Sequence, residues 1–174
     1  MICYPDESED QKCLLDSLLT TPCFLSASLA KQCAYSAALA CQDQSVMDLI
    51  SDSVGKLLLK ERQLITYAVS RMSTTNPYFM SRKALNLSGE GTLTALKLRP
   101  FADLDIADTS AYHYACVCVS MVNGGYDCLQ GHADSLRQGG QTDDAIDEAL
   151  RITAAVMAAR QIVFLENRWP VYSS

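Results

Sequence analysis

Apolar residues recur along this chain at intervals of three and four, and no stretch alternates apolar and polar positions in the manner of a strand. The spacing predicts a first helix over about 8–19, with Leu14, Leu15, Leu18 and Leu19 on its stripe. Pro22 suits a first helical position, and a helix crowded with alanine and serine is expected over 24–41, where small residues allow close approach. Beyond Gln42-Asp43-Gln44, Ser45 is the expected cap of a helix carrying Val46, Leu49, Ile50 and Val54, which Gly55 kinks or ends.

The spacing of Leu64, Ile65, Ala68 and Val69 predicts a further helix over 57–72. Ser73-Thr74-Thr75-Asn76-Pro77 reads as a turn, with Asn76 as cap and Pro77 opening a short helix over 78–87. Residues 88–108 read as loop with at most one short helical turn. Asp108 or Thr109 then caps a helix over 110–122 that carries His113, Cys116, Val117 and Ser120 along one side.

Asn123-Gly124-Gly125 is a tight turn, Asp127 the expected N-cap, and a short helix follows that Gly139-Gly140 ends. Thr142-Asp143-Asp144 opens a long helix over 143–166, with Ile146, Ala149, Leu150, Thr153, Met157 and Gln161 on its apolar face and Trp169-Pro170 as its stop. The fold class expected is all-α. Ala68-Val69-Ser70, turn, Tyr78 and Arg82 parallel Cys118-Val119-Ser120, turn, Cys128 and His132 fifty residues later, an internal helix-turn-helix repeat whose second copy alone holds a thiol and an imidazole.

Composition narrows the partners. A chain of 174 residues is expected to form a single domain, 1–174, and buries roughly two-thirds of its unfolded surface. Its net charge of −6 and pI near 4.8, with no basic cluster, disfavour nucleic acid. Eight cysteines are many, but no C-x2-C pair occurs and only two histidines are present, so a metal site has little support. The opening Met1-Ile2-Cys3-Tyr4-Pro5-Asp6-Glu7 lacks the features of a secretory signal, and no apolar run would span a membrane. The expectation is a cytoplasmic chain with reduced thiols.

The chemistry concentrates in residues 108–166. Cys128 falls in the first turn of its helix, where unpaired amides and the helix dipole favour a thiolate. His132 follows at i+4, on the same face. His113 is the only other histidine. Spacing alone leaves a plainer alternative open, in which Cys128 is a small buried hydrophobe and His132 a satisfied polar residue.

Val122-Asn123-Gly124-x3-Cys128-x3-His132-x3-Leu136-Arg137-x-Gly139-Gly140, followed by Thr142-Asp143-Asp144-x-Ile146-x-Glu148-Ala149-Leu150, resembles the alkylhydroperoxidase AhpD family, related to the carboxymuconolactone decarboxylases. The resemblance implies an AhpD-like multi-helix domain and a C-x2-C-x3-H mechanism. In it the second cysteine attacks a hydroperoxide, the first closes a disulfide, and a histidine and a glutamate relay protons. No cofactor is bound; the reductant is external, a lipoyl-type dithiol, and the partners are an AhpC-like peroxiredoxin or a lipoyl-carrying protein. A homo-oligomer is also implied, a trimer or a multiple of one.

By this correspondence Cys128 matches the peroxidatic cysteine and His132 the histidine, while Gly125 occupies the first cysteine's position. His113 stands where the glutamate would be, and would raise the positive potential when protonated. Asp127 takes a position between the motif cysteines that is a histidine in some members. Glycine has no sulfur, so the family's disulfide cannot form between positions 125 and 128. Cys116, one turn from His113, is a candidate resolving thiol; on the other reading Cys116 and Cys118 are core residues. The function implied is a thiol-dependent hydroperoxide reductase. The alternatives are a non-redox decarboxylase-like enzyme, in which histidine does acid–base work, and a degenerate paralogue that binds or assembles with partners.

Overall fold

A computed structural model describes residues 6–89 and 91–168. Among the described residues seven α-helices run in the order α1 (Glu9–Thr20), α2 (Ala27–Cys41), α3 (Gln44–Val54), α4 (Leu59–Ala84), α5 (Thr109–Asn123), α6 (Tyr126–Gln138) and α7 (Asp143–Arg168). Short 3-10 turns occupy Asp6–Ser8 and Phe101–Leu104, the latter being the one helical turn expected in the long loop. No strand occurs among the described residues, and the protein is all-α as the periodicity predicts.

The central element is α5, against which α2, α4, α6 and α7 all pack. From Ala111 to Ser120 every residue is buried except His113. A helix apolar on all sides belongs in a core, and Cys116 and Cys118 are part of it, with no exposed surface. The small residues of α2 permit the approach: Ala30, Cys33, Ala34, Ala37 and Ala38 are likewise sealed from solvent.

Several boundaries differ from expectation, each for a local reason. α2 starts at Ala27 and Pro22 stays outside it, because the amides of Cys23, Phe24 and Leu25 all donate to the Glu148 carboxylate of α7 at 2.7 Å. Ser26 then caps α2 through the Leu29 amide. Asp43, two residues ahead of the expected Ser45, caps α3 by accepting from the Ser45 and Val46 amides. Gly55, at φ +73°, ends that helix.

The largest difference lies at Ser73–Pro77, where the expected turn is absent and α4 runs through as one helix of 26 residues. Pro77 removes the amide that would reach the Ser73 carbonyl, but both residues are exposed, so water can satisfy that carbonyl. Met72, Thr75 and Asn76 on the opposite side are buried and anchor both halves of the helix. The first copy of the internal repeat therefore has no turn, and only the second, at Gly124-Gly125, is helix-turn-helix.

On α7 the buried stripe is Ile146, Ala149, Ile152, Thr153, Val156, Ala159 and Val163, while Gln161 points to solvent. Thr142 caps this helix through the Ala145 amide, as expected of the Thr-Asp-Asp opening. The expected stop at Trp169-Pro170 lies outside the described residues. No helix among the described residues is long and apolar enough to cross a membrane.

Candidate active site

Two glycines set the geometry of the α5–α6 corner. Asp108 caps α5 through the Ala111 amide, and Gly124, at φ +71°, turns the chain at the other end of the helix. Gly125 holds the N-cap position of α6 without a side chain; its amide donates to the Ser120 carbonyl at 2.8 Å. Asp127 is thus not the cap. It lies in the first turn and forms an exposed ion pair with Lys83 of α4 at 2.6 Å.

Position 125 is closed to any larger residue. A Cβ built there would overlap the Asn76 side-chain amide and come within 2.8 Å of the Asn76 Cβ. Asn76 is fully buried; its Oδ1 accepts from Ser120 Oγ at 3.4 Å, and its Nδ2 has no partner among the described residues. The side chain of α4 occupies the space a cysteine at 125 would need.

Cys128, half-buried, sits where two cavities meet. A larger cleft of about 860 Å³ runs along Phe79, Arg82, Lys83 and Leu87. A smaller cavity of about 280 Å³ is lined by Arg71, Thr75, Phe101, Tyr112, His113 and His132, with Cys128 shared between the two. The structure thus gathers Cys128, His132 and His113 from two helices around one space. Cys116 lies behind them in the core, and burial holds its thiol far above the usual range.

The two histidines bond to each other, Nδ1 to Nδ1 at 2.8 Å. One ring must donate and the other accept, so the pair shares a single Nδ1 proton. Phe101 stacks on His113 with ring centres 5.7 Å apart, and Tyr112 meets both imidazoles edge-on. Burial lowers the pKa of His113, and burial, then His113, then Arg71 lower that of His132 to about 4. Both rings are neutral at pH 7, so His113 does not supply positive potential.

Nor does the helix terminus deliver the expected thiolate. Burial pushes the Cys128 thiol above its ordinary value; the Thr75 hydroxyl opposes this and the Asp127 carboxylate adds to it. Among the described residues no hydrogen bond joins Cys128 to either histidine. No group of three or more His, Cys, Asp and Glu side chains gathers to hold a metal among them.

The positive charge of the site comes from a residue that motif reading missed. Arg71 is 8% exposed, donates from Nη1 to the Arg99 carbonyl at 2.9 Å, and lines the smaller cavity. A signal existed: Leu64, Ala68, Arg71 and Thr75 share the buried stripe of α4, and an arginine on such a stripe is unusual. Thr75, Tyr112 and Asn76 carried no signal, because only packing of α4 on α5 and α6 brings them here.

No family model matches the chain. It is similar, at 23% identity over 159 residues, to a protein of Mycolicibacterium paratuberculosis named alkyl hydroperoxide reductase AhpD. The aligned stretch covers 91% of this chain and 89% of that protein. Similarity of that extent, together with the all-α fold, supports an AhpD-like family for this chain.

Proposed function

We propose that this protein is an AhpD-like reductase of organic hydroperoxides, with Cys128 as the nucleophile and the His113–His132 pair as its proton relay. The observation that carries the reading is the joint lining of one cavity by Cys128 and the bonded imidazoles. The similarity to a protein named alkyl hydroperoxide reductase AhpD supports it.

In this reading the Cys128 thiolate attacks a hydroperoxide oxygen. An S–O bond forms, the O–O bond breaks, and the departing alkoxide takes a proton relayed by the imidazoles to leave as an alcohol. Sulfur is oxidised to the sulfenic acid and the peroxide is reduced. With Gly125 in place of a second motif cysteine and Cys116 held protonated in the core, an external dithiol restores the enzyme. Its first sulfur displaces water to form a mixed disulfide; its second releases Cys128 and leaves an external disulfide. A lipoyl-carrying protein supplies such a dithiol, and the AhpC-like peroxiredoxin partner follows from the same resemblance. A homo-oligomer would cover the exposed Phe24, Leu58 and Leu59.

A second reading has its own support. The raised Cys128 thiol and the Asn76-filled space at position 125 favour a non-redox protein, in which the histidines do acid–base work or the fold serves assembly. The deciding experiment is the rate of sulfenic acid formation at Cys128 on exposure to cumene hydroperoxide, trapped and read site by site by mass spectrometry. The peroxidase reading expects oxidation confined to Cys128 and lost in His132→Ala. Equal, slow oxidation of Cys128 and the exposed Cys13 and Cys23 would sink it.

A further inference from the structure

Arg71 is a buried cation without a carboxylate. Among the described residues none of the ion pairs includes it, and none of the residues lining its cavity is acidic. A guanidinium taken out of water without a counter-charge is costly, and its remaining N–H donors in the planar fork match a carboxylate. The groups facing it are neutral: the Arg99 carbonyl, which takes Nη1, and the Tyr112 hydroxyl. The cations of the larger cleft differ: Arg82 is committed to the Ser88 and Gly89 carbonyls, and Lys83 to Asp127.

We propose that the cavity between Arg71 and Cys128 selects a small carboxylate with an apolar body, the carboxylate seated on Arg71 and the other end directed at the thiol. This deepens the reductase reading: the hydroperoxide presented to Cys128 is then a hydroperoxy acid.

The cavity's other features agree. Its walls are apolar and aromatic, from Met72, Phe79, Leu93, Phe101 and Tyr112. Its volume of about 280 Å³ is the share of roughly nine waters in the liquid, which suits a ligand of benzoate size. Arg71 and Cys128 line this one cavity together, the cation from α4 and the thiol from α6. The neutral imidazoles do not compete with Arg71 for the anion.

The test compares benzoate with benzamide, a neutral ligand of the same size, by NMR titration of the resting protein. It then compares a short hydroperoxy acid with its methyl ester by the rate of Cys128 oxidation. Benzoate is expected to bind at least tenfold more tightly than benzamide, with the preference abolished in Arg71→Gln and partly kept in Arg71→Lys. The acid should oxidise Cys128 at least tenfold faster than the ester. If benzoate preference holds but neither hydroperoxide reacts, the anion site stands and the reductase reading fails. If the wild-type protein shows no preference in the ligand pair, the anion site is overturned, whatever the variants do.

Discussion

The Asn76 amide occupies the volume that a side chain at Gly125 would fill. Two helices thereby share one site: α4 contributes a side chain and α6 leaves a space for it. The relationship predicts that Gly125→Cys, which restores the family's C-x2-C spacing, is destabilising by about 1–3 kcal/mol through overpacking. Asn76→Gly removes the overlapping atoms at a helix-propensity cost of about 0.3 kcal/mol, beside the loss of the Ser120 bond. In that background Gly125→Cys should cost measurably less. Chemical denaturation of the four proteins in this cycle reads the coupling, and strictly additive effects would refute the overlap.

Burial raises the Cys128 thiol and lowers both imidazoles, and this sets the pH dependence. Below the thiol pKa the thiolate fraction grows tenfold per pH unit, so Cys128 oxidation should climb between pH 6 and 9 without a plateau near neutrality. NMR should find His132 neutral down to the neighbourhood of its pKa of about 4. Because the folded value lies below the unfolded one of about 6.5, the unfolded chain binds more protons between them, and stability should fall as pH drops through that window. A rate plateau at pH 7, or an imidazolium at position 132 at pH 6, would contradict the geometry.

Glu148 ties α7 to the segment before α2 through three charge-assisted bonds at 2.7 Å. The three backbone donors overcome the opposing effect of burial and hold its carboxyl below the usual value. Its stabilisation is therefore present above the unfolded carboxylate pKa and is lost as pH falls through the folded one. Glu148→Gln should destabilise the protein at pH 7 by about 1.5–3 kcal/mol, the range for bonds to a charged acceptor. Thermal melts of both proteins at pH 7 and pH 3 should differ less at the lower pH; an equal difference would remove the charge from the explanation.

Pro77 interrupts the hydrogen bonding of α4 on its exposed side. Pro77→Ala restores an amide that can reach the Ser73 carbonyl, at the cost of about 0.4–1 kcal/mol of unfolded-chain entropy. The expected net effect is a stabilisation of about 1 kcal/mol or more, read as a higher melting temperature. A lower one would mean that the proline bend itself is needed to seat Thr75 and Asn76.

The helices were legible wherever a stripe and a cap coincided. Leu15, Leu18 and Leu19 announce α1, and Asp108, Gly124 and Gly140 bound the helices around Cys128, because caps and left-handed turns are decided by neighbours in sequence. Pro77 misled for the opposite reason: its local cost is overridden by buried contacts of Met72 and Asn76 with distant helices. The start of α2 was hidden as well, since the carboxylate that takes its preceding amides belongs to a residue about 125 positions away.

The same division holds at the site. Spacing alone put Cys128 and His132 on one face of one helix, a relation of 3.6-residue geometry that needs no tertiary contact. Only packing of α5 against α6 joined His113 to His132, and only packing of α4 brought in Arg71, Thr75 and Asn76. Burial then reversed the electrostatics that sequence position implied, raising the thiol and neutralising the imidazoles. Which residues are chemically capable is a local property; their protonation and the space around them are set by desolvation, which the whole fold creates.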